Sequence, residues 1–433
     1  MSPNRMLAPK TEPVAPEAIH RESFFRQSGW LMIANVAGGF FMWAVHLLNK
    51  KIPPGQYGDF GWSLAVVMLV PTIPLQMVLA QQTAKALATN RQGELAGLFR
   101  WIWLITSGVW LFLAALALIF QQNLVARLQI APSALWITLA IVLLSLWTPL
   151  FWGLLQGKQN FLWLGWSMMS NALVRFTAAA CAVLILHTYA IGMITGVFLG
   201  MAVAGIFGAW HSRSLYLAKA EPFDGRGLLR QILPLFIGFL GFQALFTADT
   251  IFVKAYFSRV NADFYVSGGT LSRALMWLVL PLASVMFPRI VHSAAKSEKT
   301  DLMSLVLIGT AVLAIAGAIS LTVLAPWIVP LAYKDEYAPV VRLLLPWYVS
   351  AMVPLAVANV LLNNLLARPA SMLVPSLCVL AVALGYLSAL TRFHDSMVMV
   401  LQVMGVANLL LLAVCAWFTW GWKKGGSPVV DEA

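Results

Sequence analysis

Two rows of polar and charged side chains stand at helical spacing inside apolar sequence. Ser167, Asn171 and Arg175 fall at i, i+4 and i+8, one face of a helix. Ser267, Thr270 and Arg273 fall at i, i+3 and i+6 and again share a face. Asn359 and Asn363 add an i, i+4 amide pair, with Asn364 beside it. An arginine stays charged and grips phosphate oxygens with two parallel bonds, so the rows suit a phosphate-bearing ligand with polar groups. The plainer alternative is bonding between helices, worth about 1 kcal/mol or less per contact. For the arginines that alternative is weaker, because a lone cation inside a membrane costs roughly 3 kcal/mol or more.

Two more ionisable groups interrupt apolar runs. Asp249 lies in LFTADTIFVKAYF, five residues before Lys254, and His46 lies four to five residues before Lys50 and Lys51. Their matching positions suggest an outer gate in which the two meet on closure and exchange a coupling proton. The simpler expectation is that Asp249 pairs with Lys254 or bonds a polar neighbour such as Thr247. Other chemistry has no purchase here. Cys181, Cys378 and Cys415 lie singly in apolar stretches, without CxxC spacing, and the six histidines form no HExxH pair. Neither a metal site nor a cofactor is expected. No GxxxxGK[ST] phosphate loop occurs. Asp335 and Glu336 beside Lys334 read as a solvated turn, and no enzyme activity is expected.

Long apolar elements must position these groups. The chain has 433 residues, 61% hydrophobic and 10% charged, against about 45–50% and about 25% in soluble domains. Twelve spans of about 20 residues or more are predicted, near 25–48, 58–81, 100–120, 134–155, 161–186 and 189–210, then 231–253, 264–287, 302–324, 339–366, 371–391 and 397–420. Of the 28 Lys and Arg, 18 fall on the side of the tails and of the loops after even-numbered spans, 8 on the opposite side, and only Arg175 and Arg273 deep within spans. By the positive-inside rule both termini are cytoplasmic, and the formal charge of +12 reflects orientation and anionic lipid rather than nucleic acid. Residues 1–22 and 422–433 are expected to be cytoplasmic tails and 211–227 a cytoplasmic linker. Residues 23–210 and 228–421 are expected to form two six-span bundles.

The halves echo one another. HLLNKKIPPGQYGDFGWSLAVVMLVPTIP and ADTIFVKAYFSRVNADFYVSGGTLSRALMWLVLP share an order: apolar helix, basic residue, turn, aromatic residue, long apolar helix carrying proline. Six spans per half make the repeat parallel, and matched proline interruptions point to a transporter cavity. The loop after span 2 lacks the pattern expected of a major-facilitator transporter.

GQYGDFGWSLAV, LLQGKQNF, ADTIFVKAYFS with ADFY, VMFPRI and YKDEYAPVVRLLLPWY occur in order across nearly the whole chain. In these the chain resembles the polysaccharide-exporter branch, of O-antigen-unit flippase type, in the multidrug/oligosaccharidyl-lipid/polysaccharide (MOP) flippase superfamily. Asp263 stands where that branch often has glycine. The resemblance implies an all-α polytopic membrane protein whose two bundles form a V, as in MATE-like transporters, with spans 1, 2, 7 and 8 facing the cavity. It also implies a bacterial inner-membrane flippase that turns a polyprenyl-pyrophosphate-linked oligosaccharide to the outer leaflet for polysaccharide biosynthesis. Expected with it are a coupling ion, H+ or Na+, and polysaccharide polymerase or glycosyltransferase partners. Arg175, Arg273, Ser167, Asn171, Thr270, Asn359 and Asn363 would bind substrate, and Asp249 and His46 would gate. The alternative on the same scaffold is a cation-coupled exporter of small amphipathic compounds. A membrane transferase ranks behind both, because no long external loop is present.

Overall fold

The computed structural model describes residues 16–295, 302–366 and 373–421. Of the expected tail 1–22, residues 1–15 lie outside the described residues and 16–22 open the first helix; the tail 422–433 and the connections 296–301 and 367–372 also lie outside them. Eleven helices or helix pairs among the described residues are long and apolar enough to cross a membrane. They are α1 (Pro16–Ala44) with its 3-10 extension Val45–Lys51, the pair α2 (Tyr57–Leu69) and α3 (Thr72–Ala88), α4 (Gln92–Ile119), α6 (Pro132–Gly157), α7 (Phe161–Leu184) and α8 (Tyr189–Tyr216). The second half supplies α9 (Gly225–Tyr256), α11 (Leu302–Ala332), α12 (Ala338–Leu366), α13 (Leu373–Arg392) and α14 (Met397–Ala416). α10 (Arg259–Ala295) occupies the remaining expected span.

Helix packing repeats between the halves. In the first, α1 packs on α7, α3 and α4 on α6, and α8 on α6 and α7. In the second, α9 packs on α13, α10 and α11 on α12, and α14 on α12 and α13. Span for span the two patterns are the same, as a parallel repeat requires.

Several expectations need correction. Span 2 is two helices, because Pro71 has no N–H to donate and Val70 turns extended (ψ 122°). The matching break in span 8 is absent: α10 continues through Pro281 and Pro288, as membrane helices tolerate. The stretch after α4 holds a short helix, α5 (Gln121–Leu128), and α11 runs through Pro326 and Pro330 to Ala332, so the residues left between expected spans 3 and 4 and between spans 9 and 10 are largely helical. The linker shortens to residues 217–224. It lies along α4, where Glu221 N–H donates to the Gly93 carbonyl at 3.0 Å and Arg100 Nη2 to the Ala218 carbonyl at 2.8 Å.

The bundles meet mainly where α2 packs on α9 and α10. This contact closes the end of the molecule that carries the 52–56 turn and the α9–α10 connection.

Candidate functional site

Below the closed end a cavity of about 340 Å³ separates the bundles. α1 contributes Trp43 and His46, α7 contributes Arg175, and α10 contributes Thr270, Arg273 and Trp277. Most of the remaining wall is apolar. A second cavity of about 290 Å³, at the linker, mixes Lys85 and Arg91 with Glu94 and Asp224 and contains none of the expected site residues.

The two in-span arginines are compensated differently. Arg273 Nη2 donates to both oxygens of Asp249, at 2.7 and 2.8 Å, and lies 3.0 Å from Thr250 Oγ1. Its Nε donates to the Phe246 carbonyl at 3.0 Å. Asp249 is fully buried and also accepts from the Tyr348 hydroxyl at 3.1 Å. Arg273 is therefore not a lone cation, and the local charge is close to neutral. Arg175 has no carboxylate partner among the described residues, and its Nε has no hydrogen-bond partner. It is 7% exposed, and its guanidinium lies 5.8 Å from the Phe60 ring centre, within cation–π range. Among the described residues it is the one in-span cation at the cavity whose charge no acidic side chain balances. Small residues bring α8 close to α7 here: a side chain at Gly200 would collide with the Asn171 carbonyl.

The structure brings together only part of the expected set. His46, Arg175, Thr270 and Arg273 share the cavity wall. Ser167 is buried between helices, donating to the Ala204 carbonyl at 2.8 Å and accepting from Trp152 Nε1 at 2.7 Å. Asn171 lies at the α7–α8 contact. Asn363 Nδ2 donates to the carbonyl and Oδ1 of Asn359 at 2.8 and 2.9 Å. None of these four lines the cavity. The expected meeting of His46 and Asp249 does not occur in this closed arrangement: His46 Nδ1 bonds Tyr57 Oη at 2.6 Å, and Asp249 holds Arg273. Nor does Asp249 pair with Lys254. Lys254 reaches Asp59 at 2.5 Å across the bundle contact, because both lie on the faces where α2 and α9 meet.

The sequence did not single out Asp59, which is only 8% exposed. Sequence reading also missed Asp263, which is buried and accepts from the Gly55 and Gly58 N–H groups at 2.6 Å each and from the Tyr337 hydroxyl at 2.9 Å. The departure from glycine at position 263 was the available signal.

Comparison with known proteins fits this architecture. A family model described as "Polysaccharide biosynthesis protein" matches residues 24–294. No curated protein matches significantly. An inward-facing multidrug resistance MATE family transporter of the MOP superfamily aligns with TM-score 0.63 at 12% identity, over 90% of this chain and 93% of its own. The lipid II flippase MurJ, in an inward closed conformation, aligns with TM-score 0.64 at 13% identity, over 92% and 88%. At such identity the likeness is one of fold.

Proposed function

The chain belongs to the polysaccharide biosynthesis protein family and shares the fold of a MOP-superfamily transporter, and from that premise we propose that it is a MOP-type flippase that turns a polyprenyl-pyrophosphate-linked oligosaccharide from the inner to the outer leaflet by alternating access. Arg175 carries the reading. A cation left without a counter-charge in a mostly apolar cavity favours an anion, and a phosphate oxygen pair suits its planar fork. Thr270 adds a hydroxyl, and Arg273 adds donors while Asp249 holds its charge. α1 packs along α7 and not extensively on α10 among the described residues. Trp43, about a third exposed, and Trp277, more than half exposed, flank the gap. Through it an isoprenoid tail can remain in the bilayer while the head group occupies the cavity. In this conformation Ser167, Asn171, Asn359 and Asn363 support the helices that shape the cavity. They would meet sugars only after rearrangement.

We place the protein in the inner membrane with both termini cytoplasmic, so that the closed end faces outward. We assign His46, beside Arg175 and bonded to Tyr57, to proton coupling, with Asp249 as the fixed counter-charge of the gate. Polymerase and glycosyltransferase partners would act on the flipped product. The cation-coupled exporter of amphipathic compounds draws on the likeness to the multidrug transporter. It needs a carboxylate free to hold a cation, yet Asp59 and Asp249 are both held by basic partners. In the native host, deletion of the chain should abolish surface polysaccharide and retain lipid-linked oligosaccharide in the inner leaflet. Unchanged surface polysaccharide after deletion would refute the reading.

A further inference from the structure

Span 2 is divided between the bundles. Its second part, α3, packs chiefly on α6 of its own half, whereas its first part, α2, packs mostly on α9 and α10 of the other half. Each end of α2 is tied to that second bundle through backbone. At its start, the buried Asp263 carboxylate accepts the Gly55 and Gly58 N–H groups. At its end, Gln243 Nε2 of α9 donates to the Met68 carbonyl at 2.6 Å. That carbonyl would bond Thr72 N–H in a continuous helix, but Thr72 N–H turns to Val70 instead. Between the ends, Asp59 pairs with Lys254. Gly61 lies so close to α10 that a Cβ there would stand 3.0 Å from the Val266 Cβ and nearer still to its methyls. Breaks flank the segment on both sides: Gly55 at φ +86° and the extended Val70–Pro71. Toward its own half, α2 makes polar contact through Ser63 with Thr138 of α6, at 2.8 Å, and through Tyr57 with His46.

We propose that α2 moves with the C-terminal bundle, that Asp263 and Gln243 are the positioning residues that make it do so, and that the closed end opens along the α2–α6 seam by bending at Gly55 and Val70–Pro71. Parting α2 from α9 and α10 would strip Asp263, Asp59 and Lys254 of their partners and free the Met68 carbonyl, and unpaired polar groups in a low dielectric are costly. Parting it from its own half breaks the Ser63–Thr138 and Tyr57–His46 contacts and draws the Phe60 ring from Arg175, but breaks no ion pair. Gly61, Leu64, Ala65 and Met68 line the cavity, so the same movement would remodel its wall.

Two cysteine pairs decide the matter in protein whose Cys181, Cys378 and Cys415 are replaced. Gly58→Cys with Ala262→Cys bonds α2 to α10, their Cβ atoms 3.1 Å apart as built, near the usual range of about 3.5–4.5 Å. Gly61→Cys with Val266→Cys serves if that bond does not form. Ser63→Cys with Thr138→Cys bonds α2 to α6. Opening is read as the rate at which Ala274→Cys, in the cavity wall, reacts with a membrane-impermeant maleimide. The reagent is applied at the face where Lys51→Cys reacts, and labelling at 274 is followed by peptide mass. An α2–α10 bond should leave the rate within about twofold, and the α2–α6 bond should lower it at least about tenfold until reduced. Adding Asp263→Asn and Gln243→Ala should abolish that suppression, because α2 can then stay behind with α6. Loss of labelling with an α2–α10 bond, retention with the α2–α6 bond, or no labelling of the unlinked protein from that face overturns the proposal. Suppression that persists in the Asp263→Asn/Gln243→Ala protein overturns the positioning role.

Discussion

Arg175 and Arg273 look alike in the sequence and differ in what a substitution should do. Arg175 leaves no partner behind, so Arg175→Ala should fold and insert normally while transport falls. Charged hydrogen bonds are worth about 1.5–3 kcal/mol, or roughly a tenfold to hundredfold loss in initial transport rate. Arg175→Lys should recover only part of it, since an ammonium lacks the planar fork. Arg273→Ala instead strands Asp249, which is fully buried. Removing one partner of such a pair costs about 3–5 kcal/mol, so the expected outcome is poor expression and a lowered melting temperature in detergent. Asp249→Asn combined with Arg273→Gln should melt well above Arg273→Ala, and equal melting would show that the pair contributes nothing. The sequence revealed both groups but not their pairing. Helical spacing shows which residues share a face of one helix, and these stand 24 positions apart on two helices.

At the scale of the element, α2 and α3 show how a visible proline acquires an invisible partner. Gln243→Leu should leave the Met68 carbonyl unpaired and destabilise the protein by about 1–3 kcal/mol. Pro71→Ala allows the helix to close and Thr72 N–H to take that carbonyl, so the double variant should recover part of the loss. A double variant that is merely the sum of the two singles would show that Gln243 does not serve the break. Pro71 could be read from the sequence as an interruption. Gln243 could not, because 175 positions separate it from Met68 and nothing local marks it. The same limit explains Asp263, whose partners Gly55 and Gly58 lie in the opposite bundle, whereas spans, repeat order and in-span charges follow from apolar length and periodicity and were legible.

For the whole molecule, the orientation proposed from the asymmetry of basic residues can be checked by a fusion. A reporter active only outside the cytoplasm, placed after residue 220 in the linker, should be silent, and one placed after Lys51 should be active. The reverse pattern would invert the proposed direction of flipping. Overall architecture was legible because bilayer thickness sets span length. The substrate was not, because the lining of the cavity depends on how two bundles meet. Reconstitution tests the central claim most directly. Vesicles loaded on one leaflet with a polyprenyl-pyrophosphate-linked glycan should present it to a lectin on the other leaflet when the intact protein is present, and not with Arg175→Ala. No translocation of the lipid-linked glycan by the intact protein, with movement of a cationic amphiphile instead, would contradict it.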